Sequence, residues 1–242
     1  MKTHARRLAV LLASWPALVL AQPATSHPDV SFRPTRGLTI VGAGLTGDPD
    51  PTALELNPAE LAWDRGGGFA LAGQLAPREA PIAGRGVGGF IGIPAGGLTL
   101  GLGLQQLSAT GPFRSLVDPT PTTYGARWKL SLGFGARLGR RLAFGASWAH
   151  FYGDAYGGLD TFDVGLSWRL FRFTALGFVL EDAFRPRLPG ELERLPRRYA
   201  SELLLRPLGS NAVELAGGLL VDAYDDDRQL GARFRTRVRL YR

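Results

Sequence analysis

The stretch that decides the fold is residues 127–139, RWKLSLGFGARLG. Trp128, Leu130, Leu132, Phe134, Ala136 and Leu138 take every second position, and Arg127, Lys129, Ser131, Gly133, Gly135 and Arg137 fill the gaps. A period of two belongs to a strand, because successive side chains of extended backbone point to opposite faces. The same alternation recurs in LAFGASWAHF (142–151), FDVGLSWRL (162–170) and GLTLGLGLQQL (97–107). The C-terminal RQLGARFRTRVRLYR (228–242) sets Arg233, Arg235, Arg237 and Arg239 on one face, opposite Phe234, Val238 and Leu240.

Working outward, the alternation predicts ten strands, at about 66–75, 85–94, 97–106, 123–138, 141–151, 159–170, 173–182, 198–206, 212–222 and 228–241. Their connections alternate between short (95–97, 139–140, 171–172, 208–211) and long (76–84, 107–122, 152–158, 183–197, 223–227). That alternation, with strands near the length needed to cross a bilayer at a tilt, is the pattern of an antiparallel transmembrane β-barrel. The expected fold is therefore all-β, a barrel of about ten strands in residues 66–242. A soluble periplasmic β-sandwich or partial barrel is the competing architecture.

The face opposite the apolar stripe chooses between them. It carries the cations Arg127, Lys129, Arg233, Arg235 and Arg237, the carboxylates Asp163, Glu181, Glu202, Glu214 and Asp222, and many glycines. In a barrel this face is the lumen, so cations and carboxylates are expected to pair there. Glycine on it makes room for a plug or a ligand path. Trp128 and Trp148 are expected near the long-loop rim, and Trp168, Phe171, Phe173 and Tyr241 near the short-turn rim, as two aromatic girdles.

Residues 1–21 read as a cleaved secretory signal. Lys2, Arg6 and Arg7 precede an apolar run, and Val19-Leu20-Ala21 ends it with a small residue. Without them the formal charge falls from +7 to +4, since those residues hold three cations and no acid. A mild excess on an exported chain gives no footprint for nucleic acid. The chain has no cysteine, so it is not a disulfide-stapled secreted domain. The expected location is the outer membrane of a diderm bacterium.

Residues 22–65 do not alternate. A short helix is predicted near residues 51–56, capped by Asp50 with Pro51 at its first position, and a break at Asn57-Pro58. Ala53, Asn57, Pro58, Ala59 and Leu61, followed by three glycines at 66–68, resemble the segment before the first strand of the outer-membrane transporter family for long-chain fatty acids and hydrocarbons. The stretch is also similar to related barrels that serve type IX secretion. Residues 180–207 resemble the family's late strand–loop–strand unit. The resemblance implies a hatch in residues 22–65 tucked into the barrel, with passive uptake of a hydrophobic small molecule. The chain departs from the family in having ten strands instead of fourteen, and in ending on Arg242 instead of an aromatic residue. A structural or docking barrel with a closed lumen is the alternative function. Another is the barrel portion of a larger signal-peptide-peptidase-like protein. Lipid, a hydrophobic small molecule and a periplasmic or surface protein are the expected partners.

No cofactor or metal is expected. The run Asp225, Asp226, Asp227 lacks the spacing and bidentate Glu of a calcium loop. Gly42-Ala43-Gly44 lacks the strand-then-helix setting of a nucleotide site. His150 shares the parity of Trp148, whereas Ser147 faces the other way, so no nucleophile and base pair is expected and the chain is read as a non-enzyme. The basic and acidic stretch around Arg197 and Arg198 is read as loop surface.

Overall fold

A computed structural model describes residues 35–38, 40, 43–47, 49–76, 84–109, 126–153, 158–187, 194–224 and 228–238. The signal reading, residues 22–34, Asp225–Asp227, and Arg239 to Arg242 lie outside that set, as do most residues of the longer connections.

Every predicted strand is present. In chain order they are β1 (Gly68–Ala76), β2 (Gly84–Ala95), β3 (Leu98–Ala109), β4 (Ala126–Leu138), β5 (Leu142–Gly153), β6 (Leu159–Phe171), β7 (Thr174–Glu181), β8 (Arg197–Leu205), β9 (Val213–Ala223) and β10 (Arg228–Val238). They form one antiparallel sheet in which each strand pairs with its sequence neighbours. The only helices among the described residues are two 3-10 helices, Pro51–Glu55 and Pro58–Trp63. None is long and apolar enough to cross a membrane.

The sheet does not close. No ladder joins β1 to β10 among the described residues, so the expected barrel is present as an open ten-stranded wall. The inward arginines of β10 pair with Glu202 and Glu214 on its β8–β9 side, and β1, GFALAGQLA, carries no charge.

The two faces of the sheet differ in kind. The apolar stripe found at Trp128 to Leu138 lies on the outer face and stays exposed or half-buried, as do its equivalents on the other strands. No second sheet or helix layer covers it among the described residues. The inner face is covered instead by the described residues of 35–64. The first 3-10 helix begins at the predicted Asp50 cap, and the second, which the sequence reading did not foresee, begins at Asn57. Asp50 accepts from Thr52 N at 2.8 Å and Asn57 from Ala59 N at 3.1 Å, each with proline at the next position. The predicted break at Asn57-Pro58 is the junction between them.

Candidate functional site

The candidate site is the inner face together with the segment that covers it. Its floor is a set of glycines that the strand register brings side by side. Gly135 pairs with Gly145 and Gly145 with Gly165, across β4, β5 and β6. A second row runs Gly68, Gly92, Gly101 and Gly133, across β1 to β4. Without side chains these rows are shallow troughs in the sheet. The second 3-10 helix lies in the first trough: a Cβ on Gly135 would stand 2.7 Å from Pro58 O, and one on Gly145 would overlap Ala59 N and the Pro58 carbonyl. Leu54 and Leu61 fill the second trough, where a Cβ on Gly101 would lie 2.9 Å from Leu61 Cδ1 and one on Gly133 2.6 Å from Leu54 Cδ1. Backbone against backbone is an approach that only glycine permits.

Asn57 fastens the segment at the middle. Its side-chain nitrogen donates to Leu45 O at 2.7 Å and to Leu166 O on β6 at 3.3 Å, while its oxygen caps the helix that follows. Pro58 and Ala59 are buried in the first trough, and Leu61 beneath the second. Asn57, Pro58, Ala59 and Leu61 of the motif thus touch the sheet or fix the turn above it, and Ala53 is buried in the first helix.

Two carboxylates of the segment reach the wall. Glu55 accepts from Lys129 Nζ at 2.6 Å and from Ser131 Oγ at 2.8 Å. Glu60 accepts from Ser167 Oγ, from Gly47 N at 3.1 Å and from Arg169 at 3.4 Å. Trp63 completes that cluster, donating to Ser167 at 3.1 Å beneath the Arg169 guanidinium. Burial pushes the Glu60 carboxyl above its ordinary value, and Arg169 and Ser167 hold it down only in part.

The opposite end of the inner face is a guanidinium–carboxylate lattice. Arg233 and Arg235 meet Glu202 at 2.6 Å and 3.0 Å. Arg237 lies 3.1 Å from Glu214, Arg235 3.9 Å and Arg206 2.9 Å. The segment enters the lattice: Thr46 N donates to Glu202 at 3.3 Å, and Arg235 donates to Thr46 O at 3.3 Å. Arg198 grips Asp222 through two bonds of 2.7 Å, deep in the wall. Arg127 donates to Arg36 O at 3.4 Å. Of the predicted wall carboxylates, Glu202 and Glu214 pair with the predicted arginines, Glu181 meets Arg36 at 3.5 Å and Asp163 accepts from Asp182 N at 2.8 Å. Lys129 pairs with Glu55, and Arg127 with a backbone carbonyl. Glu55, Glu60, Arg169 and Arg206 were missed, and Arg198, expected as loop surface, is instead a fully buried residue of β8 because its guanidinium is neutralised by Asp222. The signal for the first two was available, because both acids sit among apolar residues in ALELNPAEL, where an ionised side chain needs a partner.

His150 belongs to the outer face. Its Nδ1 lies 2.9 Å from Asp160, which also accepts from Trp148 Nε1 at 2.9 Å, and its ring packs edge-on to Tyr152. Ser147 is buried on the inner face.

Comparison of the chain with protein-family models, with curated proteins and with solved structures finds no match.

Proposed function

We propose that this chain is a membrane-spanning β-barrel protein, completed by pairing of β1 with β10, whose bore is held shut by residues 35–64 acting as a hatch. The observation that carries the reading is the outer face: side chains such as Leu71, Val87, Leu102, Leu132, Phe178, Leu203, Leu219 and Phe234 stand exposed on eight strands, with Tyr152 on β5 and Trp168 on β6. A soluble monomer rarely exposes a contiguous apolar patch beyond a few hundred Å². A lipid-facing wall requires one. Trp128 and Tyr152 toward one end, and Trp168, Phe171 and Phe173 toward the other, fit two interfacial belts.

The inner face favours a closed resting state. The ion pairs at Glu202 and Glu214 and the filled glycine troughs leave the segment seated along the wall. Uptake of a hydrophobic small molecule, which the resemblance at Ala53–Leu61 implies, then requires the segment to move. The troughs leave room for the segment to slide along the sheet, once the side-chain bonds of Asn57, Glu55, Glu60 and Trp63 to the wall are released.

The test is reconstitution of the full chain into lipid bilayers, with conductance and uptake of a fluorescent long-chain fatty acid as readouts. Wild type is expected to be nearly silent. E202Q/E214Q should raise opening by roughly tenfold or more, since each charge-assisted hydrogen bond lost is worth about 1.5–3 kcal/mol. Steady conductance in wild type would refute the closed state. Silence and lack of uptake in the variant would leave the structural barrel as the function. A chain that stays dispersed in water without detergent would sink the membrane reading itself.

A further inference from the structure

At the end of the sheet where the hairpins are tight, the β4–β5, β6–β7 and β8–β9 turns surround a cavity of about 310 Å³. Five of its lining residues are arginines: Arg140 and Arg141 from the first turn, Arg169 and Arg172 flanking the second, and Arg206 from the third. No carboxylate lines it. The apolar part of the wall includes Ala175 and Leu204, both buried.

The five cations are held differently. Arg169 and Arg206 are tied from behind by Glu60 and Glu214. Arg172 lies on the Phe173 ring at 4.6 Å. Gly209, at φ 64°, presses the third turn against both: a Cβ there would lie 2.8 Å from Phe173 and 3.0 Å from Arg172 Nε. The guanidiniums of Arg140 and Arg141 have no hydrogen bond or ion pair among the described residues. Three exposed cations without a carboxylate partner, gathered with two more on one concave surface, give a local positive potential that favours an anion.

We propose that this cavity binds the phosphate group of an anionic ligand. A planar carboxylate is saturated by one or two guanidinium forks. A phosphate carries more charge and accepts forks from several directions, and here the guanidiniums arrive from three separate turns. The apolar wall suits the first carbons of a phosphate ester. Two sources offer this chemistry, the headgroup of an anionic phospholipid and a soluble phosphate. The site does not depend on the membrane reading, because the cavity belongs to the turns whether or not the strands cross a bilayer.

The experiment uses the full chain in an uncharged maltoside detergent, with inorganic phosphate, dihexanoyl phosphatidylglycerol and hexanoate as probes, followed by calorimetry and native mass spectrometry. One equivalent of phosphate or of the phospholipid is expected to bind. R140Q/R141Q/R172Q should weaken it by roughly a hundredfold, and R140K/R141K/R172K, which keeps charge but loses the forks, by about tenfold. Circular dichroism on each variant establishes that the sheet persists. Saturation by inorganic phosphate assigns the soluble source, and saturation by the phospholipid alone assigns the headgroup. The proposal is overturned if neither binds wild type, if hexanoate binds as tightly as phosphate, or if either triple variant binds like wild type.

Discussion

Replacing Gly145 with alanine tests how the N-terminal segment is seated. The added methyl group points from β5 into the first trough and collides with the Pro58 carbonyl and with Ala59 N, both backbone. No flexible side-chain tip can swing aside there, so either residues 57–62 lift by roughly an ångström or the strand bends away. Lifting the segment strains the Asn57 bond to Leu166 O, already 3.3 Å, and the Trp63 bond to Ser167, at 3.1 Å. Overpacking costs about 1–3 kcal/mol, and losing a typical buried hydrogen bond adds roughly 1 kcal/mol. The expected destabilisation is therefore about 2–4 kcal/mol. It should be repeated in Gly165→Ala, where the methyl group meets the Asn57 side-chain oxygen and Pro58 Cδ. Gly97→Ala is the control, since a Cβ at Gly97 has nothing within 4 Å. Urea unfolding followed by tryptophan fluorescence gives the stability. Limited proteolysis within residues 35–64 tells whether the segment or the whole wall has yielded. If Gly145→Ala matches both wild type and Gly97→Ala in midpoint and cleavage rate, the segment does not lie in the trough and the argument fails.

Two further predictions concern charge. Because burial raises the Glu60 carboxyl above the ordinary 4.5, the folded chain holds that proton more tightly than the unfolded one. Its contribution is thus full below about pH 4.5 and lost as pH rises through the native value. Glu60→Gln should flatten that decline in urea midpoints above pH 4.5, and equal slopes in variant and parent would refute it. Leu132, at the middle of β4 and on the outer face, separates lipid from water. Leu132→Arg should cost about 2–4 kcal/mol in folding into vesicles, whereas a water-facing position would tolerate it within about 0.5 kcal/mol.

The wall of this fold was legible because its signal is local. Trp128 to Leu138 reads as a strand from its own residues, and the tight turns at Gly96-Gly97 and Gly139-Arg140 set its neighbours in register. The helix cap at Asp50 was legible for the same reason, whereas Asn57 read as a break and proved to cap a second helix. What depends on distant registers was harder to see. Parity placed Gly135, Gly145 and Gly165 on one face, but their alignment in one row follows from two hairpin registers together. That the row would hold backbone, not a ligand path, depends on how residues 57–62 approach it. Arg235 could meet Glu202 and Glu214 or the N-terminal segment on sequence grounds. It meets all three, because Thr46 lies beside Glu202. Glu55 and Glu60 escaped notice because their partners Lys129, Ser131, Ser167 and Arg169 are more than seventy residues away.

The two free edges supply the remaining step. Exposure among the large apolar side chains peaks on β1 and β10, at Leu71 and Leu75 on one side and Leu230 and Phe234 on the other. Soluble sheets guard their edges with outward charges, proline, bulges or a covering element. β1 has neither charge nor proline, and the β10 arginines that follow Leu230 all turn inward to carboxylates or to the segment. Both edges also share the alternation of the rest of the wall, apolar outside and small or polar inside. The barrel proposed above pairs these two edges of matching pattern. A disulfide between cysteines placed at Gly73 and Phe234 tests that meeting. It should form in the lipid-reconstituted chain within one molecule, and its appearance only between molecules would make the edges an oligomer contact instead.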